Sequence, residues 1–156
     1  MRFTECLVAL IVASSLSAGQ GESPSMSLQD AERAFADALL RHDRAAFVAL
    51  LAPDAECSLP VVKHGPDAIA SAWLPFLIDP NTTMLFTNTG LTMAKSGDSG
   101  NTEGTFAIRG RTSKGIQTIP AGNYSIAWRL IDGHWKITAL GGSAGRNGKT
   151  AVPGAQ

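Results

Sequence analysis

Few side chains in this chain are suited to chemistry. Tyr124 is its only tyrosine, and the phenol can act as a proton donor. His64, just before Gly65-Pro66, carries an imidazole able to serve as a base near neutral pH. Asp37 offers a carboxylate for the same task from a helical stretch. Cys57 carries a thiol, and a cysteine without a partner is mostly a small buried hydrophobe. His42 ends a helical pattern, where the dipole favours a cation, and His134 starts a strand beside a tight turn. No two His, Cys or carboxylate residues have ligand spacing, so no metal site and no cofactor is expected.

These groups need a scaffold, and composition bounds it. The chain has 156 residues, 44% of them apolar and 17% charged, which suits one packed domain. Thirteen basic residues balance thirteen acidic ones, which removes the electrostatic case for nucleic acid. Residues 1–19 read as a secretory signal: Arg2, the apolar run Cys6 to Ala13, then small residues from Ser14 to Ala18. That run is much shorter than the ~20 residues needed to cross a bilayer, so no membrane insertion is expected. The expected location is secreted or periplasmic. Removing the leader also removes Cys6, so Cys57 has no internal disulfide partner. Residues 142–156, rich in Gly and without apolar period, read as a flexible tail. The domain proper is expected over 27–141.

Within it, Ser27 and Asp30 form a capping box ahead of Leu28, Ala31, Phe35, Ala38 and Leu39 at helical spacing. Asp43 caps a second helix carrying Phe47, Leu50 and Leu51, which Pro53 is expected to stop. Ala55 to Leu59 reads as a short strand. Gly65-Pro66 opens a third helix with Ile69, Trp73, Phe76 and Leu77, kinked or ended by Pro75. From Thr82 the period changes to two, giving strands near 83–94, 101–112, 117–131 and 134–140. Asp132-Gly133 is a strong two-residue hairpin signal, and Pro120 with Gly122 implies a bulge. Helices first and an antiparallel sheet afterwards make an α+β domain.

Several strings match a known family. The run Ala34 to Asp43 looks like a first helix with its Asp-capped junction, and Phe47 to Ala55 like a helix-to-strand run. Gly65-Pro66-Asp67-Ala68-Ile69 with Trp73 resembles a Gly-x-x-Ala-Ile helix start. Tyr124 to Arg129 with Asp132 to Ile137 resembles a closing hairpin. On these grounds the chain resembles the SnoaL-like and ketosteroid-isomerase-homologue domains of the nuclear transport factor 2-like superfamily. The resemblance implies a cystatin-like cone: three N-terminal helices packed on a curved antiparallel sheet around an apolar cavity. It also implies that the outer sheet face is a homodimer interface, where Thr105, Ala107, Ser125 and Ala127 are small.

Strand alternation then assigns the interior. Ala55, Cys57 and Leu59 face in, as do Phe106 and Ile108, the set Tyr124, Ile126, Trp128 and Leu130, and Trp135, Ile137 and Ala139. Glu56, Glu103 and Arg109 face out. By resemblance, Leu59 falls at the family's catalytic Asp, Phe35 at its Tyr donor and Ile126 at its protonated Asp donor. All three polar roles are filled by hydrocarbon, so isomerase activity is not carried over. The expected ligand-binding wall is Phe35, Cys57, Leu59, Trp73, Tyr124, Ile126 and Trp128, suited to a small apolar or carbonyl-bearing molecule. A second expectation is an isomerase, cyclase or dehydratase with Tyr124 as donor and His64 or Asp37 as base. A third is a dimeric interaction module with a filled core. An ionisable group inside the cone would favour catalysis.

Overall fold

The computed structural model of the protein describes residues 26–59 and 61–144. The expected leader and most of the expected tail lie outside the described residues. Helix α1 (Leu28–Leu40) is capped by Ser27, whose hydroxyl accepts the Asp30 N–H at 3.1 Å and donates to the Asp30 carboxylate at 2.7 Å. Asp43 caps α2 (Arg44–Leu50) by accepting the Ala46 N–H at 2.9 Å.

The next strand differs from the sequence expectation. Helix α2 ends at Leu50, ahead of Pro53, but strand β1 (Leu51–Cys57) begins directly after it and takes Pro53 in. Its neighbour is the last strand, β6 (His134–Ala144), and their pairing is interrupted between Leu51 and Glu56. Proline has no N–H for a ladder, and in that interrupted stretch none is required. Leu59 consequently lies in the loop after β1. A two-residue strand β2 (Lys63–His64) pairs with the end of β1, opposite Cys57 and Glu56. The third helix is two: α3 (Pro66–Ala72) and α4 (Leu74–Ile78), broken at Trp73. Pro75 sits in the first turn of α4, where its missing N–H would have had no partner anyway. The His42 ring nitrogen Nδ1 lies 3.0 Å from the Phe76 carbonyl oxygen, which ties the α1–α2 junction to α4.

Three long strands complete the sheet: β3 (Thr82–Met93), β4 (Ser99–Thr112) and β5 (Gly115–Ile131). The order is β2-β1-β6-β5-β4-β3, antiparallel throughout except for the parallel β1–β6 pair. Asp132 and Gly133 both have positive φ, 50° and 76°, as a tight two-residue hairpin requires. The bulge expected near Pro120 falls at Ala121, between Phe106↔Gly122 and Ala107↔Pro120. A second bulge, at Thr138, was not foreseen. It shifts β6 by one residue, so Leu140 and not Ala139 is the buried partner of Ile137. Strand β6 also continues to Ala144, pairing with Gly122, beyond the point where the tail was expected.

The helices cover one face of this curved sheet, and Phe35, Leu39, Phe47, Trp73, Ile126, Trp128 and Ile137 are all buried between them. Each large side chain buried this way contributes about 1.5–3 kcal/mol relative to exposure. No helix among the described residues is long and apolar enough to cross a membrane.

Candidate functional site

The chemistry sits at one end of the α1–sheet interface. Leu28, Ala31, Phe35, Ala38 and Leu39 form the buried stripe of α1, and Glu32 lies inside that stripe at 5% exposure. The strand beneath it, β4, has an inner face reading Gly100, Thr102, Gly104 and Phe106. That face is thin where α1 meets it. A Cβ on Gly100 would come within 2.6 Å of a Leu28 methyl carbon. A Cβ on Gly104 would lie 2.0 Å from the Thr87 carbonyl oxygen and 2.8 Å from the Tyr124 ring. The two glycines flank Thr102 and leave room for Leu28 on one side and the Tyr124 ring on the other.

The result is a closed polar cluster. The Tyr124 hydroxyl donates to Glu32 Oε1 at 2.5 Å, and the Thr102 hydroxyl donates to Oε2 at 2.6 Å. Thr102 in turn accepts the Trp128 indole N–H at 2.9 Å. Burial holds the Tyr124 phenol well above its usual acidity range, and the bond to Glu32 and the charge there push the same way. Asn88, on β3, acts weakly in the opposite direction. Hydroxyl-to-carboxylate bonds of this length are the strong kind, and in a low-dielectric interior they hold firmly.

An aromatic wall adjoins the cluster. Phe86 is its hub, meeting Tyr124 edge-on at 4.8 Å, Phe35 edge-on at 5.0 Å, and Phe106 and Trp73 in stacked contacts at 5.7 and 6.2 Å. Trp73 also stacks on Phe47 at 5.4 Å. Phe86 and Phe76 remain half-buried, so this wall reaches solvent. Across the interior, the Leu59 carbonyl accepts both the Trp73 N–H at 2.8 Å and the Cys57 S–H at 2.9 Å. Burial pushes the Cys57 thiol above its usual value, so it behaves as a packed thiol with a weak donor.

The residues singled out from the sequence divide cleanly. Phe35, Cys57, Trp73, Tyr124, Ile126 and Trp128 are buried, and Leu59 is half-buried. His64 stands on β2 with its side chain 67% exposed, its Nδ1 3.4 Å from Glu56 Oε1. The two border a shallow outer cleft of about 130 Å³ with Ser58 and Val62. Asp37 is exposed on the outer side of α1. The structure therefore brings neither His64 nor Asp37 to Tyr124; Glu32 is the carboxylate there. Sequence reasoning overlooked Glu32 and Thr102, although both carried a signal. Glu32 falls four residues after Leu28 and three before Phe35, on the apolar face, and Thr102 shares the parity of Phe106. Among the described residues no group of three His, Cys, Asp or Glu is placed to hold a metal ion.

A family model described as a SnoaL-like domain matches residues 32–139. The chain belongs to the SnoaL-like family. Solved structures share the fold of this SnoaL-like domain at low sequence identity. A candidate scytalone dehydratase from Novosphingobium aromaticivorans superposes with a TM-score of 0.63 at 16% identity, covering 76% of this chain and 82% of that one. A candidate dehydratase of the NTF2-like family from Streptomyces avermitilis gives 0.60 at 18%, covering 74% and 92%. A candidate calcium/calmodulin-dependent protein kinase II association domain from Xanthomonas campestris gives 0.60 at 18%, covering 75% and 84%. No curated protein matches the chain. Neighbours named for such different tasks carry the SnoaL-like fold alone, so the task has to be argued from the site.

Proposed function

We propose that the protein is an exported binding domain that takes a small apolar molecule into its cone and meets that molecule's polar group at Tyr124 and Glu32. The observation that carries this reading is the buried Glu32 carboxylate facing the Tyr124 hydroxyl beside an aromatic wall. Tyr124 and Thr102 both commit their protons to Glu32, so acceptor capacity is what remains: free carboxylate lone pairs and the phenol oxygen. A ligand that donates a hydrogen bond, such as an apolar alcohol or phenol, is favoured over the carbonyl-bearing type first expected. The test is a titration with a matched hydrophobic alcohol and ketone, alongside native mass spectrometry of protein from its own source. At least tenfold tighter binding of the alcohol, lost in Glu32→Gln, is expected; equal binding of both, or of neither, contradicts the reading.

A second reading, catalysis, is favoured by the same carboxylate, because Glu32 is an ionisable group inside the cone. In it Glu32 takes a proton from carbon beside a carbonyl, and the C–H electron pair moves onto the carbonyl oxygen; Glu32, now protonated, releases the Tyr124 hydroxyl, which turns its proton to that oxygen. The enolate then either recovers the proton from Glu32 at another carbon, an isomerisation, or expels a β-hydroxyl that leaves as water with that proton, a dehydration. Turnover would fall about 10²–10⁴-fold in Glu32→Gln, and stay unchanged in His64→Ala and Asp37→Asn; the reverse pattern would dismiss Glu32 as the base. The outer sheet face, small at Thr105, Ala107, Ser125 and Ala127, is proposed as a homodimer interface. A monomer in sedimentation at micromolar concentration would remove that part.

A further inference from the structure

We propose that the β3–β4–β5 end of the sheet carries an oxyanion site, in which Arg109, Arg111 and the Thr83 hydroxyl take a phosphate group. A cleft of about 210 Å³ there is lined by Pro80, Asn81, Thr83, Arg109, Arg111 and Ile116. Register brings them together. Arg109 lies opposite Thr83, the Arg111 N–H donates to the Asn81 carbonyl at 3.2 Å, and Arg111 lies opposite Ile116. Arg109 and Arg111 are two apart on β4, so both guanidinium groups rise from one face.

Three observations make this more than two surface cations. First, among the described residues no carboxylate lines the cleft, and the ion pairs involve Arg33, Arg129 and His64 but neither of these arginines. The nearest acid in sequence, Asp79, is turned to the Asn81 N–H at 2.9 Å and the Thr82 hydroxyl at 2.9 Å. Second, Thr83 has the parity opposite to the inward Met84, yet it is only 5% exposed while lining the cleft. Its hydroxyl makes no hydrogen bond among the described residues. Third, the sequence from Gly104 to Ile131 contains no Asp or Glu, while Arg109, Arg111 and Lys114 gather at this hairpin end of a chain with zero net charge. Like charges side by side on a strand repel, and an oxyanion between them converts that repulsion into paired fork-type hydrogen bonds. The cleft is smaller than a drug-sized pocket, so it takes a headgroup and not a whole nucleotide. Ile116, which lines it, is 67% exposed, which suits a phosphate with an apolar remainder.

That phosphate could come from a soluble ester or from a lipid headgroup, and the experiment separates the two. The full chain is titrated with inorganic phosphate, followed by amide chemical shifts, and sedimented with vesicles of phosphatidylglycerol or of phosphatidylcholine alone. Saturable phosphate binding confined to residues 80–83 and 109–116 supports the site with a soluble ester. Sedimentation with phosphatidylglycerol and not phosphatidylcholine supports it with a lipid source. Either must weaken at least tenfold in Arg109→Gln/Arg111→Gln and stay unchanged in Arg33→Gln. Should the double variant unfold, Arg109→Gln alone, at an exposed position, reads the same loss. Binding that survives these substitutions, or no binding in either arm, overturns the proposal.

Discussion

Glu32 and Glu56 are both carboxylates with a close polar partner, and they occupy opposite environments. Glu32 lies on the buried face of α1 with its two oxygens held at 2.5 and 2.6 Å by Tyr124 and Thr102. Glu56 stands on the rim of β1, its side chain 66% exposed, with His64 at 3.4 Å. In water a pair such as the second is screened and costs side-chain freedom to hold, so it contributes little. In the interior every donor spent on a carboxylate matters, because losing the acceptor leaves buried hydroxyls without water to replace it. Charge plus partner does not make a site; burial and complete hydrogen bonding decide which pair governs the molecule.

The comparison can be broken at both ends. Glu32→Ala removes the acceptor shared by Tyr124 and Thr102 and leaves a void under α1, so chemical denaturation should report a loss of about 3 kcal/mol or more. A loss of a few tenths would mean that the cluster is no more tightly held than the rim pair. Gly104→Ala tests the groove that admits the Tyr124 ring. The added carbon meets the Thr87 backbone oxygen, which cannot swing away, and about 1–3 kcal/mol should be lost. Wild-type stability there would show that Tyr124 does not rely on the missing side chain. At the rim, Glu56→Gln or His64→Ala should change stability by no more than about 0.5 kcal/mol; a larger effect would give the outer pair a structural part that its exposure does not support.

Much of the scaffold was legible because its signals are local. The Ser27–Asp30 box, the Asp43 cap and the Asp132-Gly133 turn each rest on a few adjacent residues whose backbone demands are strong. What escaped depends on pairing across the chain. Pro53 reads locally as a helix stop, and only the interrupted β1–β6 ladder makes it tolerable in a strand. Ala139 reads as inward until Thr138 bulges out and turns Leu140 in. Glu32 was legible: helical spacing places it on the buried stripe of α1, where it is the one charged residue among apolar ones. Thr102 was less legible, as a small polar residue between two glycines. A polar residue at an apolar period deserves the same weight as the apolar ones around it, because it must find partners inside.

Because Tyr124 is the chain's only tyrosine, its ionisation can be followed alone, by the rise of tyrosinate absorbance with pH. Burial, the bond to Glu32 and its charge all raise this phenol above the ordinary value of 10.0. A folded-state value above the unfolded one means that the stabilisation is fully present below pH 10 and is lost as pH rises beyond it. The wild-type protein should therefore show no tyrosinate at pH 10 while folded, with ionisation appearing only at higher pH together with unfolding, and Glu32→Gln should bring it back toward 10. A wild-type transition centred at 10 in folded protein would contradict the buried Glu32–Tyr124 pair and the function built on it.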